Sequence, residues 1–353
     1  MNNCKKIICH YVHNLENFSG AAFQGSLLAS NINSLGRFHC FLINKNSGNV
    51  FKSEFHEGFE ILHVPNNSFL RFFCLVYIFI IKKIDLVHIH GYEDVLYLVS
   101  LLFCKKIFLK STIIGEDFES LSRKRSRLFL WVFSKVSYNN ALSTPIYKIN
   151  KKYTDNISII PNFIDEVELV KIDEKENLFL IIGAVCERKR TYESIKYFIE
   201  NISTQLPGSV LFIVGPHSEG YGEYDDKYVS LCWSLLEGRS DIKVLGQVNK
   251  SEVLALMRKA KALLFFSSRE GFGSVLIESL SMSCVPIVLK DNEVAYDIIE
   301  NGVNGFFIDS FSRSISVEEI ESLISSGILY ETAKFYHIDR IISVYESLYE
   351  KIL

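Results

Sequence analysis

Short apolar runs that read as strands alternate with helix-like segments along most of the chain, and the alternation halts once and restarts. Strands separated by helices pair in parallel, because a parallel connection needs a long crossover, and such a sheet must be covered on both faces. The first series has strands at 5–12, 38–43, 59–64, 85–91, 106–112 and 157–160, with helices at 23–35, 94–103 and 128–136 and an apolar helix ending near Lys83. Residues 166–177 are mostly charged and read as a linker. The second series has strands at 178–182, 210–214, 242–245, 262–267 and 286–289, with helices at 192–201, 251–259 and after Gly273. A chain of 353 residues exceeds one ordinary core. The expectation is therefore an α/β protein of two doubly wound, Rossmann-like domains, 1–165 and 178–332, facing a cleft. Residues 333–353 form a last helix, expected to pack back on the first domain.

Hydrophobic residues make up 48% and charged residues 22%, a balance that folds. The eight cysteines include no Cys-x-x-Cys pair, so zinc is not expected, and the mixed start of the chain lacks a secretory apolar core. Both point to a cytoplasmic protein. The most membrane-like run, 72–81, lies between Arg71 and Lys82 and is about half the ~20 residues that a spanning helix needs. It reads as a buried helix, the alternative being a surface that dips into lipid. Residues 1–163 hold 19 Lys and Arg against 11 Asp and Glu, whereas 164–353 hold 19 against 30. The basic half suits an anionic membrane or acceptor, with a focus at 123–127; a solvated helix face explains that cluster equally well. No nucleic-acid motif is present.

The chemistry concentrates at 267–278. There a strand-like run leads into Glu270-Gly271-Phe272-Gly273-Ser274-Val275, and a helix-like run carries Glu278. A strand–turn–helix of this kind puts backbone N–H groups and a helix N-terminus at one spot, which suits a diphosphate. Glycines let backbone approach a ligand, and two fixed carboxylates suit the hydroxyls of a sugar or ribose. A capping box wants its acid at Ile277, so capping alone does not explain Glu278. After the strand at 178–182 comes Gly183, then Arg188-Lys189-Arg190, cations poised to neutralise a diphosphate leaving group. Lys189 is the first candidate and Arg188 the second. His88 and His90 share one strand face, but no further metal ligands are evident, so an acceptor or structural role is expected. His10 and His13 lie near the first loop. No Gly-x-Gly-x-x-Gly follows the first strand, which disfavours a nicotinamide enzyme.

Taken in order, Ser19-Gly20-Ala21, Asp85-x-Val87-His88-x-His90-Gly91, Pro161-Asn162, Gly183 with Lys189, Glu270-x7-Glu278 and Asn301-Gly302-x-Asn304-Gly305 resemble the retaining glycosyltransferases of family 4, which have the GT-B fold. The resemblance spans roughly the whole chain. It implies hexosyl transfer from a nucleoside-diphosphate sugar, with UDP the expected nucleotide, to a glycan, usually with no metal or other cofactor. Glu270, Lys189 and Arg188 would be the catalytic set. Gly183, Gly271, Phe272, Gly273, Ser274, Val275 and Glu278 would hold the donor in the second domain, and Ser19, Gly20, Ala21, His90 and Gly115 would contribute from the first. Two positions depart from the pattern: Ala184 stands where the family has Arg, and Ile114 where it has His. Arg188 or Arg190 is expected to supply the missing charge; Lys110, Thr112, Glu116 or Asp117 are candidates for the missing sugar contact. The basic half and its apolar helix favour a lipid-linked acceptor and a peripheral membrane location. The rival readings are a nucleotide-sugar epimerase of the same fold and a non-catalytic sugar-nucleotide-binding protein.

Overall fold

The computed structural model describes the chain except residues 1–4, 16–19, 57, 105, 114, 116, 126–132, 134, 221, 310 and 312–313. Ser19, Ile114, Glu116 and most of the helix expected at 128–136 lie outside the described residues. The chain divides into two compact units, one of Met1–Asn162 with Asp339–Leu353, the other of Phe163–Ile338.

The strands of the first unit are β1 (Ile7–His13), β2 (His39–Lys45), β3 (Lys52–His56), β4 (Phe59–Val64), β5 (Leu86–His90), β6 (Lys106–Ser111), β7 (Tyr138–Ala141) and β8 (Ile157–Ile159). Between them run helices α1 (Gly20–Ser34), α2 (Ser68–Lys82), α3 (Asp94–Phe103), α4 (Phe118–Arg125) and α5 (Thr144–Asn150). The second unit has β9 (Glu176–Ile182), β10 (Val210–Val214), β11 (Ile242–Gly246), β12 (Ala260–Phe265), β13 (Val285–Leu289) and β14 (Phe306–Ile308). Its helices are α6 (Thr191–Tyr197), α7 (Asp226–Ser234), α8 (Lys250–Lys259), α9 (Ser274–Ser281), α10 (Val317–Ser326) and α11 (Ile328–Lys334). The last helix, α12 (Ile338–Ile352), belongs almost wholly to the first unit.

The first sheet runs β3-β4-β2-β1-β5-β6-β7-β8 and is parallel except where β3 pairs antiparallel with β4. The second runs β11-β10-β9-β12-β13-β14 with every pairing parallel. Both are doubly wound orders in which the chain starts mid-sheet and switches direction, so ligands are expected at the carboxyl edge near the switch. Residues 166–177, linker-like in composition, are tied into the second unit. The Glu168 N–H donates to the Ser281 carbonyl at 2.9 Å, the Val170 N–H to the Ser283 hydroxyl at 3.3 Å, and β9 begins at Glu176. Their charge reflects an exposed course, not a loose one.

The run at 72–81 departs from its expected burial. In α2 only Arg71, Leu75, Ile78 and Phe79 are buried. Apolar on every side, the helix offers one face to the sheet and leaves the opposite face outside. Capping by Asn67, whose side chain accepts from the Phe69 and Leu70 N–H groups, sets where the helix starts.

Inside the first unit, α12 covers a polar seam of the sheet. The Tyr349 hydroxyl lies 2.5 Å from His88 Nδ1, and Asn140 Nδ2 donates to the Tyr345 hydroxyl at 2.8 Å. His10 is in register with His88, and its Nδ1 is 3.2 Å from Nε2 of His90. All three imidazoles are buried, and α1 crosses close to them: a Cβ on Gly25 would fall 2.9 Å from His90. The His88 and His90 rings stack at 4.0 Å with 24° between planes. The fold thus brings His10 to the pair as a third imidazole, with a ring nitrogen of each lying within 4.8 Å of the others, a grouping that the sequence alone did not show. Burial, then the neighbouring Lys110 ammonium, holds His10 down at about 3, and burial also pushes His88 and His90 well below the usual range.

These groups make stability fall with acid. Unfolded histidines titrate near ~6.5, so below that pH the unfolded chain binds protons that the folded unit refuses, each group costing up to ~1.4 kcal/mol per pH unit. The stabilisation is present above the unfolded value and is lost as pH falls from ~6.5 towards about 3, the folded value of His10. Urea denaturation midpoints should drop over that range and drop less in His10→Asn; a flat profile in the wild-type protein would contradict the buried neutral seam.

Candidate active site

In the second unit every residue of β12 is buried, and the chain leaves the strand at its carboxyl end through Phe266 and Ser267. Ser267 and Ser268 are held in place: Asn292 Nδ2 donates to the Ser267 carbonyl at 3.0 Å, and the Ser268 N–H to the Arg188 carbonyl at 2.9 Å. The chain then turns through Glu270-Gly271-Phe272-Gly273 into α9. Gly273 takes φ +83°, and a left-handed residue at that cap is what glycine supplies cheaply. With Gly273 as its N-cap, α9 carries no side-chain cap, so its positive end is available to an anion.

Glu270 is the hub of the site. Lys189 Nζ donates to its Oε1 at 2.6 Å, the Ser267 hydroxyl donates to the same oxygen at 2.6 Å, and an Arg188 terminal nitrogen stands at 3.4 Å. Its side chain is 15% exposed, so these contacts are only partly screened by water. Lys189 comes from the short turn Glu187–Lys189 after β9 and packs its ammonium 5.5 Å from the centre of the Phe265 ring.

The charged turn resolves into two different arginines. Arg188 is gripped by Glu223, with Nε at 2.8 Å and a terminal nitrogen at 2.6 Å, and its other terminal nitrogen donates to the Arg269 carbonyl at 3.1 Å. That grip holds its charge, Glu223 being the main cause of a raised pKa. Arg190 is instead a bidentate partner of Asp291 at 2.9 and 2.6 Å. Arg188 is therefore the arginine that joins Lys189 beside Glu270, and Ala184 is buried.

Gly183 and Gly215 let the backbone close up next to Lys189. Gly183 has φ +136° and its missing Cβ would fall 3.2 Å from the lysine side chain. A Cβ on Gly215 would sit 1.9 Å from the Gly183 carbonyl oxygen. Gly183, Lys189, Phe265 and Ser267 line one small cleft at the strand ends.

Glu278 lies on the second turn of α9, where Lys250 from the start of α8 is its ion-pair partner. Burial raises its pKa, Lys250 opposes that shift, and Asp165 adds to it. The sequence reading missed Lys250, which carries no motif of its own.

The first-unit residues singled out from sequence do not form one group. Gly20 opens α1 with nothing near a Cβ, and Ala21 follows it in the helix. The Gly115 N–H donates to Asp117 at 2.9 Å. Asp117 caps α4 through the Ser120 N–H at 2.8 Å. His90, expected at substrate, is 2% exposed and belongs to the histidine seam. Lys110 is also buried, donates to Asn162 Oδ1 at 2.9 Å, and is pushed down to about 7 by burial.

Two doubly wound α/β units with this strand order are a GT-B fold. Residues 164–337, which lie in the second unit, match the family described as "Glycosyl transferases group 1". The chain is 30% identical over 176 residues to the O-antigen chain mannosyltransferase RfbU of Salmonella typhimurium, covering 49% of this chain and 47% of that protein. It is 27% identical over 230 residues to the Campylobacter jejuni GalNAc-α-(1→4)-GalNAc-α-(1→3)-diNAcBac-PP-undecaprenol α-1,4-N-acetyl-D-galactosaminyltransferase, covering 62% and 60%. Both matches thus span less than two thirds of the relative. Among solved structures, Anabaena HepE in complex with UDP and glucose superposes with TM-score 0.69 at 14% identity, over 98% of this chain and 100% of that one. At that identity the likeness speaks for the fold.

The close approach at Gly215 gives a direct test of the strand-end geometry. Gly215→Ala puts a methyl into the Gly183 carbonyl at a backbone angle that L residues rarely adopt. It should destabilise the second unit by about 1–3 kcal/mol, measured by urea denaturation, and it should weaken binding of nucleoside diphosphates. Wild-type stability would show that the two loops are not held in contact.

Proposed function

We propose that the protein is a retaining glycosyltransferase. It moves a hexose or N-acetylhexosamine from a nucleoside-diphosphate sugar, UDP-linked, to a growing lipid-linked glycan in polysaccharide biosynthesis. The observation that carries the reading is Glu270 with Lys189 and Arg188 on one side and the N-terminus of α9 on the other. The relatives' names support glycan assembly, one of them with an undecaprenol-linked substrate, and UDP with glucose in HepE supports the donor class.

In this reading the sugar C1–oxygen bond to the diphosphate breaks while C1 bonds to the acceptor hydroxyl oxygen. The hydroxyl proton leaves with the diphosphate. Charge grows on the diphosphate as its bond to C1 breaks, and Lys189, Arg188 and the uncapped end of α9 are placed to stabilise it. Preformed cations of this kind make a metal ion unnecessary. Glu270 orients both cations and accepts sugar hydroxyls; Glu278, next to Lys250, accepts ribose hydroxyls.

Glu270→Gln should lower kcat by about a hundredfold or more, as loss of a preorganised charge at the reacting centre does. Glu278→Ala should act mainly on donor KM, at about 1.5–3 kcal/mol for a hydrogen bond to a charged group. Arg188→Ala should reduce kcat by about tenfold or more, whereas Arg190→Ala should leave it nearly unchanged; the reverse order would move the second cation to Arg190. Activity should persist in excess chelator, and NMR of the product should show the donor's anomeric configuration. Conversion of donor without acceptor would make the protein an epimerase, and nucleotide binding without turnover a binding protein.

A further inference from the structure

The first unit carries an apolar surface that the donor site does not explain. Phe69, Phe73, Tyr77 and Ile80 follow one another at i, i+4, i+8 and i+11, so they share one face of α2. Each is more than half exposed, as are Leu98 and Leu102 on α3. The two helices pack side by side, with Arg71 of α2 buried against Glu93 at the start of α3, terminal nitrogen to carboxylate 2.8 Å. Their outer faces therefore make one continuous apolar surface, larger than the scattered apolar residues of an ordinary protein exterior.

We infer that this α2–α3 face docks on an anionic phospholipid bilayer and lies flat in its interface. Charge selects that occupant. The two helices contain a single acid, Asp94, whose carboxylate accepts from the Tyr92 hydroxyl at 2.7 Å. No acid occurs between Glu60 and Asp85, and Glu60 is already paired with Lys82 at 2.6 Å. At the carboxyl end of α2 stands exposed Lys83, and Lys106 follows α3. An apolar face bordered by lysines matches an anionic interface. A second copy of this face would bring no counter-charge to those lysines. Aromatic side chains suit the headgroup level, and Phe69 and Phe73 meet edge to face at 4.9 Å on this surface. No described helix is long and apolar enough to cross a membrane, and α2 has 15 residues, about 22 Å, with one side in the core. The surface can lie on lipid, not span it.

The inference deepens the proposed transfer to a lipid-linked glycan and rests on that reading for its purpose, though not for its test. α2 begins right after the carboxyl end of β4, so its aromatic end adjoins the edge of the sheet where ligands of such folds bind. A bilayer against this face would place lipid headgroups at that edge.

The full-length protein should be tested by flotation with vesicles of equal parts phosphatidylglycerol and phosphatidylcholine, and with phosphatidylcholine alone. Wild type should bind the anionic vesicles. Phe73→Glu with Tyr77→Glu, both exposed positions, should weaken binding by about tenfold or more. The double variant should keep its denaturation midpoint and its transfer to a soluble acceptor, and lose transfer to a lipid-linked acceptor in vesicles. Equal binding of variant and wild type would overturn the inference, as would absence of wild-type binding. So would a wild-type dimer in sedimentation that the variant abolishes without any vesicle binding, because the face would then belong to a second copy. Vesicle binding without any sugar transfer would leave the surface standing and remove the proposed function instead.

Discussion

Parallel pairing governs what this chain can do and where. A strand that pairs in parallel cannot be reached by a tight turn, so each connection crosses over the sheet and covers a face. In the second unit all five pairings are parallel, and β12 is buried along its whole length. Neither face of that strand is left for a ligand. What remains is the edge where strands end and crossovers begin, and there the backbone has just left its ladder and α9 presents an N-terminus. Two glycines sharpen the edge. With a Cβ on Gly215 the Gly183 carbonyl could not stand where it does, and the turn carrying Lys189 follows directly from Gly183.

The same constraint explains which parts of the molecule were legible in its sequence. Central strands of a parallel sheet read as continuous apolar runs, so β10 and β13 stand out, and the glycines and acids of 270–278 follow such a run directly. Edge strands lack that signature: β3 is Lys-Ser-Glu-Phe-His, with Glu54 bonded to His63 across the antiparallel pair at 2.8 Å, and β14 is only three residues long. α4 has almost no apolar surface to announce it. At the site, residue types were readable but partners were not. Which arginine faces Glu270 depends on Glu223, 35 positions from Arg188, and on Asp291, 101 positions from Arg190. The Lys250 partner of Glu278 comes from a different crossover. His90 shows the opposite limit: its alternation with His88 was visible, but only the fold shows α1 and α12 closing over that face of the sheet.

Ala184 is buried at the strand end, and the arginine that reaches Glu270 stands four residues later. Arg188 reaches Glu270 only because Glu223 takes two of its nitrogens and the Arg269 carbonyl a third. Guanidinium is suited to that, since its planar fork satisfies a carboxylate and still presents a further donor; a lysine at the same position would lose the orientation.

Helix α2 poses the question of orientation in its plainest form. An apolar pattern on all sides gives no preferred face, so hydrophobicity alone does not say which side meets the sheet. Arg71 does. Its terminal nitrogens reach the Pro65 carbonyl at 3.1 Å, the Ser68 hydroxyl at 3.2 Å and the Glu93 carboxylate at 2.8 Å, all in a buried setting. Glu93 in turn accepts from the Leu96 N–H at 2.6 Å to cap α3. A buried pair of this kind returns little net stability, because both charges must be stripped of water. Rotating the helix by one residue, about 100°, would strand both charges, a far larger cost than re-burying one phenylalanine in place of another. The pair thus selects the rotation, and through it the row of Phe69, Phe73, Tyr77 and Ile80 that faces outward.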